Sequence, residues 1–546
     1  MNLEANKYLI KTYGHEIDDR NKLDAVKRLI CKKFHIQSIL NSDVLRAYQD
    51  LLEKKEIERI QKLEKILRKR SIRTLSGIAP VAVLTKPHPC PGNCAYCPRE
   101  SEDVPVSYLS NEPAVMRAIR CLYDPYTQVS LRLKALESNG HSPKKIEIIV
   151  IGGTWSYLPK SYKYWYILNC FKAANDYLHN RKIIEDDNKE DSVHFFKNKL
   201  KAVYKKNLSI SKMKDLLISE QKINESADYK IIGLTLETRP DYINEEELLE
   251  MRELGCTRVE MGVQAICDEI LKLNKRGHGI KEVVDATALL KNYGFKITYH
   301  LMPALPGATP AKDLKMFKEI FSSQNYQPDQ IKFYPTVVTK GSLLYKWYKQ
   351  GKYKPYTDKQ LQDLIIKCKK VVPDYVRIIR LIRDIPGESI IAGNKITNLR
   401  QIMTDRGVKC RCIRCREVKD GKIEKYNIFI EKYKASFGDE YFISIENPEK
   451  NTLYGFCRLR ISHNNVVAPA IIREIHVYGE LVPSGQLAIE KIQHLGLGKK
   501  LMSEVEKIVR KNKLDKIAVI SGVGVRGYYR KMGYRLNNSY MVKKLK

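Results

Sequence analysis

The strongest chemical signal in the sequence is a group of three cysteines, Cys90, Cys94 and Cys97, with the spacing C-x3-C-x2-C. Three thiolates in one short loop can bind three irons of a [4Fe–4S] cluster and leave the fourth iron open to a ligand. The same thiolates could instead hold a structural Zn²⁺ together with a fourth ligand from elsewhere in the chain. The loop therefore predicts a metal centre, which is either a catalytic cluster or a structural zinc site.

A second signal is the segment Gln493-His-Leu-Gly496-Leu-Gly498-Lys499, which opens a long predicted helix over residues 498–511. A helix N-terminus presents unpaired backbone N–H groups and the positive end of the helix dipole, and both favour a bound pyrophosphate. The segment therefore predicts a pyrophosphate site, with an ordinary glycine-rich helix start as the alternative.

A third group of cysteines, Cys410, Cys412 and Cys415, lies within six residues of a short connector. Three thiols this close in an intracellular protein suit a structural Zn²⁺ site. No convincing fourth ligand is near them in the sequence, so a neighbouring domain would have to supply it. Unligated thiols are the alternative.

The elements that must position these groups are short apolar strands that alternate with longer helical stretches. Continuous apolar strands separated by helices predict a parallel sheet with helical crossovers, either a barrel or a doubly wound sheet. The predicted strands are residues 78–84, 146–151, 231–236, 258–263, 296–302, 330–334 and 376–382.

The residues that follow these strands are capable of binding or chemistry, and in parallel barrels the active site lies at the C-terminal ends of the strands. After the cysteine loop, which follows the first strand, the next strand ends are Gly152-Gly153-Thr154, Glu237-Thr238-Arg239, Gln264, Met302-Pro303 and Tyr334-Pro335. A Gly-Gly pair lets a ligand approach the backbone closely. Strand-end position also predicts a set of catalytic side chains, for which structural ion pairs are the alternative. They are Glu237, Arg239, Lys332 and Tyr334.

The chain divides into four predicted parts. Residues 1–75 are helical and basic, 76–395 form the barrel-like region, 396–425 are the cysteine-bearing connector, and 426–546 are a mixed α/β domain. A polar stretch at 181–230 is interpreted as an insertion in the barrel-like region.

The charge balance points to a polyanionic partner. The 546 residues include 97 Lys+Arg against 63 Asp+Glu, a formal net charge of +34. Nucleic acid is the first candidate and an acidic membrane surface the second, while a Lys-rich bias that only aids solubility is the alternative. The N-terminus has no apolar segment of signal-peptide length, and no apolar run approaches the roughly 18–20 residues that span a bilayer. We therefore expect a cytoplasmic protein.

Taken together, these motifs resemble the catalytic subunit of the Elongator complex, a family that joins a radical S-adenosylmethionine (SAM) barrel to a GNAT acetyltransferase domain. The resemblance covers about residues 77–546. Besides the cysteine loop, it rests on YDP (123–125), IGGTW (151–155), LETRPDY (236–242), CTRVEMGVQ (256–264), NKRGH (274–278), KFYPTVV (332–338), RDIP (383–386), REIHVYG (473–479) and ISGVGVRGYYRKMGYR (520–535). The implied fold is α/β: a partial TIM-type (β/α) barrel fused to a GNAT α/β domain, behind a basic helical N-terminal segment that binds tRNA.

The resemblance implies an enzyme that adds a carboxymethyl group to carbon 5 of the wobble uridine in tRNA anticodons. The implied cofactors are a [4Fe–4S] cluster, SAM and acetyl-CoA, with zinc as a structural addition in the connector. The implied partners are the tRNA anticodon stem-loop and either other Elongator subunits or a second copy of the chain, with neither DNA nor a membrane expected. The alternative function is a protein lysine acetyltransferase whose barrel serves only as a scaffold, although a basic surface suits RNA better than lysine-rich protein tails.

Site residues follow from the resemblance position by position. The cluster ligands would be the three cysteines of the first loop, and the SAM site would include Gly152, Gly153, Thr154 and Gln264. Lys145 would contact acetyl-CoA from the barrel side and take part in catalysis. The remaining acetyl-CoA residues would be Glu474, Ile475, His476, Val477, Leu497, Gly498, Lys499 and Tyr529.

Overall fold

The computed structural model describes residues 2–67, 77–185, 203–396, 398–418, 423, 425–479 and 496–545. Parts of three predictions lie outside the described residues. These parts are the basic residues 68–73 of the N-terminal segment, residues 186–202 of the predicted insertion, and Gln493 with the two residues that follow it.

Residues 2–67 form the predicted helical segment. The helices are Leu3–Tyr13 (α1), Arg20–Lys33 (α2), Asn41–Glu53 (α3) and Gln61–Leu67 (α4). Their apolar faces share a core that includes Leu9, Leu51 and Leu63. The stretch after Asn41 contains no Gly or Pro, yet it is two helices, because Lys55 takes a left-handed conformation with φ of 57° between them.

Seven parallel strands form the barrel-like sheet in sequential order. They are Ala79–Leu84 (β1), Lys145–Ile151 (β2), Lys230–Thr238 (β3), Arg258–Gln264 (β4), Lys296–Leu301 (β5), Gln330–Phe333 (β6) and Arg377–Arg380 (β8). Val338–Thr339 (β7) and Ile390–Ala392 (β9) pair separately and antiparallel. Because each strand lies next to its sequence neighbour, the sheet is a half-barrel and not a doubly wound sheet.

Helices connect the strands and share their apolar core. They are Pro113–Arg120 (α5), Pro125–Glu137 (α6), Lys160–Glu185 (α7), Ile210–Asn224 (α8), Glu245–Glu253 (α9), Asp268–Leu273 (α10), Ile280–Asn292 (α11), Pro310–Ser322 (α12), Leu343–Lys349 (α13) and Asp358–Val371 (α14). Several begin at a side chain that accepts a hydrogen bond from a first-turn amide, as Asp124 does for α6 and Asn244 for α9. None of the described helices is both long and apolar enough to cross a membrane.

The described part of the polar stretch interpreted as an insertion includes a helix that packs against the half-barrel. Helix α8 packs against α7, and its Met213 and Leu217 are buried. The rest of α8 is largely polar, so the single apolar stripe was too narrow to stand out in the sequence. α8 is thus a second helix in the crossover between β2 and β3, and the interpretation of this stretch as an insertion stays a prediction.

The connector joins the half-barrel to the C-terminal domain through backbone hydrogen bonds. It contains the short helices Leu399–Asp405 (α15) and Ile413–Arg416 (α16). The Ile413 amide donates to the Val376 carbonyl just before β8 at 2.9 Å, and the Val418 amide donates to Leu453 of the next domain at 3.0 Å.

The C-terminal domain is a mixed α/β layer, as predicted. Its sheet has the order β10-β11-β12-β13-β14-β16-β15, and only β13 and β14 pair in parallel among the described strands. The strands are Asn427–Ala435 (β10), Gly438–Glu446 (β11), Leu453–Ile461 (β12), Ala470–Val477 (β13), Lys516–Val519 (β14), Arg535–Asn537 (β15) and Tyr540–Lys544 (β16). The helices are Leu497–Lys511 (α17) and Arg526–Arg530 (α18).

Candidate active site at the mouth of the half-barrel

One cavity at the C-terminal ends of β1 and β2 unites two of the predicted motifs. Cys90 of the cysteine loop and the turn Gly152-Gly153-Thr154 line the same space, together with Thr85 and Trp155. The cavity has a volume of about 390 Å³, including its opening to solvent. The loop and the double-glycine turn are therefore neighbours in space, as their positions at strand ends predicted.

The two glycines of this turn have distinct roles. Gly152 has a φ of 128° and Gly153 a φ of 118°, which side-chain-bearing residues rarely adopt. A Cβ on Gly152 would lie 2.3 Å from Thr85 Oγ1, whereas a Cβ on Gly153 would have no atom within 4 Å. Gly152 thus allows the turn to pack on β1, and Gly153 leaves its backbone open to a ligand.

The cysteine loop contains one acidified thiol. The contact with the Cys97 thiol, followed by the adjoining Arg276 guanidinium, lowers the pKa of Cys94 to about 4. The same contact raises the pKa of Cys97. The Gly92 amide lies 3.4 Å from Cys90 Sγ. The loop therefore stabilises a thiolate, which is the form that binds metal.

The predicted catalytic residues Glu237 and Lys332 lie on a chain of polar side chains inside the half-barrel. Lys332 Nζ contacts Glu260 Oε2, and His300 Nε2 lies 2.9 Å from that oxygen. On its other side, His300 Nδ1 lies 3.5 Å from Glu237 Oε1. Tyr108 donates to the second Glu237 oxygen at 3.2 Å. Glu237 is the more exposed carboxylate of this chain, because its side chain is 22% exposed and that of Glu260 only 1%.

Lys332 is a buried ion pair, which was the alternative interpretation for this residue. Burial alone would lower the pKa of Lys332, but the Glu260 carboxylate raises it. Burial alone would likewise raise the pKa of Glu260, and Lys332 and His300 lower it well below its usual range. Both groups are therefore charged at neutral pH, and Lys332 is not a free acid or base.

The two other predicted catalytic residues occupy different parts of the mouth. The Tyr334 ring packs edge-on against His300, with 5.3 Å between ring centroids, and burial raises its pKa. Arg239 forms an ion pair with Asp241 at 2.7 Å beneath the cysteine loop. Gln264 ends β4 with a φ of 69°, and its buried Oε1 has no hydrogen-bond partner among the described residues.

Sequence reasoning missed His300, Glu260, Tyr108 and Arg276. The first two could have been found from the period of two along a strand, because alternate residues of β4 and β5 face the interior of the half-barrel. Arg276 belongs to the NKRGH motif, whose role only the packing reveals.

Lys145 lies away from the mouth. It begins β2, whereas the double-glycine turn follows the end of that strand, so about 20 Å of extended chain separates the two. Burial, followed by the neighbouring Lys230, lowers the pKa of Lys145. Gly524 of the C-terminal domain packs on Lys230, which places this end of the sheet against that domain.

The C-terminal domain has a strand pair that splays apart. β13 and β14 are paired only over residues 470–472 of β13, and β13 continues to Val477 without β14 beside it. A Cβ on Gly498 would lie 2.5 Å from the Tyr528 hydroxyl and 3.9 Å from Val477 Cγ2. The start of α17 therefore closes on the splayed strand, together with Tyr528, which sequence reasoning missed.

Some of the predicted acetyl-CoA residues lie at the splayed strands, and others are buried in contacts next to them. Glu474 is turned toward the half-barrel, where it forms ion pairs with Lys296 at 2.8 Å and Arg458 at 2.9 Å. Tyr529 is buried and packs against Tyr528, with 5.3 Å between ring centroids. Among the others, Ile475, His476, Val477 and Gly498 are partly buried, Leu497 is buried and Lys499 is exposed.

The connector thiols converge as predicted. The ligand atoms of Cys410, Cys412 and Cys415 all lie within 4.8 Å of one another. In the part of the chain that the structure describes, no other group of three potential metal ligands is this tight. The group adjoins Val376 at the start of β8, so it lies at the end of the sheet opposite the mouth.

Comparison with known proteins agrees with this geometry. Residues 88–320 match the Radical SAM superfamily and residues 328–407 match the Radical_SAM C-terminal domain. The fold and the site therefore define a radical SAM protein, a class that uses SAM and a [4Fe–4S] cluster.

Relatives that match nearly end to end narrow the family. The chain is 38% identical to a tRNA uridine(34) acetyltransferase from Methanocaldococcus infernus, over 96% of this chain and 96% of the relative. It is 39% identical to Elongator complex protein 3 from Homo sapiens, over 88% of this chain and 86% of that protein. A solved structure of the Methanocaldococcus infernus Elp3 with an N-terminal deletion superposes with a TM-score of 0.69, at 36% identity, over 86% of this chain and 99% of that one. The chain thus belongs to the family of tRNA uridine(34) acetyltransferases and Elongator complex protein 3, which confirms the resemblance and the fold class.

Proposed function

We propose that this chain is a tRNA carboxymethyluridine synthase, which uses SAM, a [4Fe–4S] cluster and acetyl-CoA to modify carbon 5 of the wobble uridine. The observation that carries the proposal is the shared cavity of Cys90 and the double-glycine turn, in a chain that also has splayed strands in a second α/β domain. The names of its relatives and the net charge of +34 support a tRNA substrate.

The cysteine loop is the proposed cluster site, because its donor set and its surroundings fit such a group. It lies at the active end of a parallel half-barrel, and it adjoins a backbone turn that Gly153 leaves open to a ligand. When bound, the cluster and SAM would supply a carbon-centred radical. The chain itself would bind the cluster through three thiolates, place the ligand on the Gly152-Gly153-Thr154 turn, and contact it with Gln264.

The connector thiols are the proposed site of a structural Zn²⁺. Cys412 Sγ and Cys415 Sγ are 3.6 Å apart. Two thiolates on one tetrahedral Zn²⁺, each bound at about 2.3 Å, stand about 3.8 Å apart. In a four-iron cluster each thiolate binds a different iron, so the ligand sulfurs are farther apart than this. The spacing of the connector thiols therefore favours zinc over a cluster in the connector.

The splayed strands and the start of α17 form the proposed acetyl-CoA site. Gly496, in a left-handed conformation with φ of 71°, precedes α17, and as a glycine it has no side chain that could cap the first turn. The first-turn amides and the end of β13 near Val477 would bind the pyrophosphate and the amide groups of the cofactor. Lys145 lies at the same end of the half-barrel, in keeping with its proposed contact with acetyl-CoA. The acetyl unit must then pass along the length of the strands to reach the mouth.

The four parts of the chain are proposed to divide these tasks. Residues 1–75 would bind tRNA, 76–395 would carry the radical chemistry, 396–425 would hold zinc, and 426–546 would be the GNAT domain that binds acetyl-CoA. The separate apolar core of the N-terminal helices supports the first boundary.

The test is anaerobic reconstitution of the full chain with iron, sulfide, SAM, a reductant, acetyl-CoA and tRNA, followed by mass spectrometry of the nucleosides. We expect 5-carboxymethyluridine at the wobble position and 5′-deoxyadenosine as a coproduct. Cys94→Ala should abolish both products and leave acetyl-CoA binding intact.

Two results would contradict the proposal. One is the absence of carboxymethyluridine from a preparation with a full complement of cluster. The other is efficient acetylation of a lysine-rich peptide without tRNA, which would support the protein acetyltransferase alternative.

A further inference from the structure

Two buried arginines lie directly beneath the cysteine loop. Arg239 is 5% exposed and Arg276 is 6% exposed. Arg276 Nη1 lies 3.4 Å from Cys94 Sγ, and Arg239 Nη2 donates to the Arg276 backbone carbonyl at 2.8 Å. The Arg239 guanidinium is thus linked to the Arg276 backbone, and the Arg276 guanidinium is linked to a proposed cluster ligand.

Glycines make the space that these guanidinium groups occupy. A Cβ on Gly92, within the cysteine loop, would lie 2.2 Å from Arg239 Nη1. A Cβ on Gly262 would lie 2.7 Å from Arg276 Nη2. Any larger residue at either position would displace an arginine, so the loop and β4 are shaped around the two cations.

Each arginine keeps an unused donor in this buried position. Arg239 Nη1 and Arg276 Nε have no hydrogen-bond partner among the described residues. Leaving a buried donor unpaired costs about 1–3 kcal/mol, and more for a charged group. Two such donors beside one loop indicate that a bound anionic group completes their hydrogen bonding.

The charge balance points the same way. Arg239 is compensated by Asp241, whose carboxylate accepts from its Nε at 2.9 Å. Arg276 has no carboxylate partner in the described part of the chain, and the thiol of Cys94 is its anionic neighbour. A buried cation without a carboxylate requires another source of negative charge.

We infer that Arg239 and Arg276 are positioning residues that stabilise the negative charge of the iron–sulfur cluster and raise its reduction potential. This inference rests on the proposed function, because it takes the cysteine loop as the cluster site. A cluster held by three thiolates is anionic and becomes more so on accepting an electron, and net charge and hydrogen bonds to sulfur set its potential. The arginines favour the reduced cluster, which is the form that must deliver an electron to SAM.

The experiment is a redox titration of the reconstituted full chain without SAM, monitored by electron paramagnetic resonance of the reduced cluster. Arg276→Met and Arg239→Met should each shift the midpoint potential to lower values, and Arg276→Lys should restore most of the loss. Asp241→Asn removes a negative charge and should shift the potential upward. Arg380→Met is the matched control, because Arg380 is half exposed at another strand end and pairs with Asp384.

The outcomes separate this inference from the proposed function. Potentials of Arg276→Met and Arg239→Met that equal that of Arg380→Met would overturn the inference alone. If Arg276→Met does not take up a cluster, the opposite shifts expected for Arg239→Met and Asp241→Asn decide the question. A wild-type chain that assembles no four-iron cluster on the cysteine loop would overturn the proposed function and this inference with it.

Discussion

The two ends of the half-barrel use the same kinds of side chain in opposite ways. The base is the end of the half-barrel opposite the mouth, where Asp329, Glu440 and Arg473 are almost fully buried. Arg473 donates hydrogen bonds to Asp329 at 2.8 Å and to Glu440 at 3.0 Å. At the mouth, Arg239 Nη1, Gln264 Oε1 and Trp155 Nε1 have no partner among the described residues. Natural proteins rarely leave buried polar atoms unpaired. The base also contains buried donors without a hydrogen bond, but Lys291 Nζ lies 3.5 Å from Glu440 and Arg458 Nη1 lies 3.4 Å from Asp329. The cations of the base are therefore compensated by carboxylates that hold two domains together, whereas we propose that ligands complete the polar groups of the mouth.

The largest expected effect is at the mouth. Cys94→Ala should reduce carboxymethyluridine formation on the order of a thousandfold or more, because the proposed cluster loses a ligand. Cys267→Ala is the control, since Cys267 packs in the same apolar cluster as Cys94 but lies outside the motif. Iron content and product are measured for both variants. Equal activity of the two variants would contradict the assignment of the mouth as the catalytic end, because activity would then not depend on the cysteine loop.

Breaking the base should cost stability. Arg473→Met leaves Asp329 and Glu440 buried without their main cation, and removing one partner of a buried ion pair costs about 3–5 kcal/mol. Urea unfolding measures this loss, with the exposed pair of Arg380 as a reference that should change by no more than about 1 kcal/mol. A loss at Arg473 no larger than the reference would mean that the base does not join the domains.

The base should also be sensitive to acid. Burial alone would raise the pKa of Glu474, but Lys296 and Arg458 lower it from 4.5 to about 2. A depressed carboxyl pKa stabilises the fold above the unfolded value and loses this contribution as pH falls from about 4.5 towards 2. The full contribution is on the order of 3 kcal/mol.

Unfolding free energies at pH 6 and pH 3 test this expectation. The stability of Glu474→Gln should depend less on pH than that of the wild type, and Glu504→Gln, which removes a partly exposed partner of Lys507, should behave like the wild type. An unchanged acid response in Glu474→Gln would place the sensitivity elsewhere.

Removing the connector metal should have a smaller effect. Cys412→Ala, or a zinc chelator, should lower the melting temperature by about 1 °C, which corresponds to roughly 1 kcal/mol in a chain of 546 residues. Metal analysis should find zinc retained in Cys94→Ala and lost in Cys412→Ala. Zinc retained in Cys412→Ala would refute the proposed site.

The smallest effect is expected at a single glycine of the mouth. Gly153→Ala forces a side-chain residue into a φ of 118° beside the proposed ligand, and it should weaken SAM binding about tenfold, or about 1.4 kcal/mol. Gly351→Ala is the matched control, because Gly351 also has a positive φ and open space around it. Equal SAM affinity in the two variants, measured by calorimetry on the reconstituted chain, would show that the turn is not part of the site.

Much of the fold could be predicted, because its signals are local. Each strand of the half-barrel is a short apolar run, and the cysteine spacing and the Gly152-Gly153 turn can each be recognised from a few consecutive residues. Helix α8 could not be predicted in this way, because its core-facing stripe is too narrow to recognise without the partner helix. The two-helix form of the stretch after Asn41 depends on a single left-handed residue, Lys55.

The sequence by itself determined the positions of the strands along the chain, the family and the thiol groups, because these depend on residues that are neighbours along the chain. Only the tertiary structure decided which side chains meet. It brought Arg276 to Cys94 across 182 positions, turned Glu474 into an ion pair with Lys296, and placed Lys145 at the end of the sheet away from the mouth. Such contacts follow from strand register and domain packing, and neither leaves a periodic trace in the sequence.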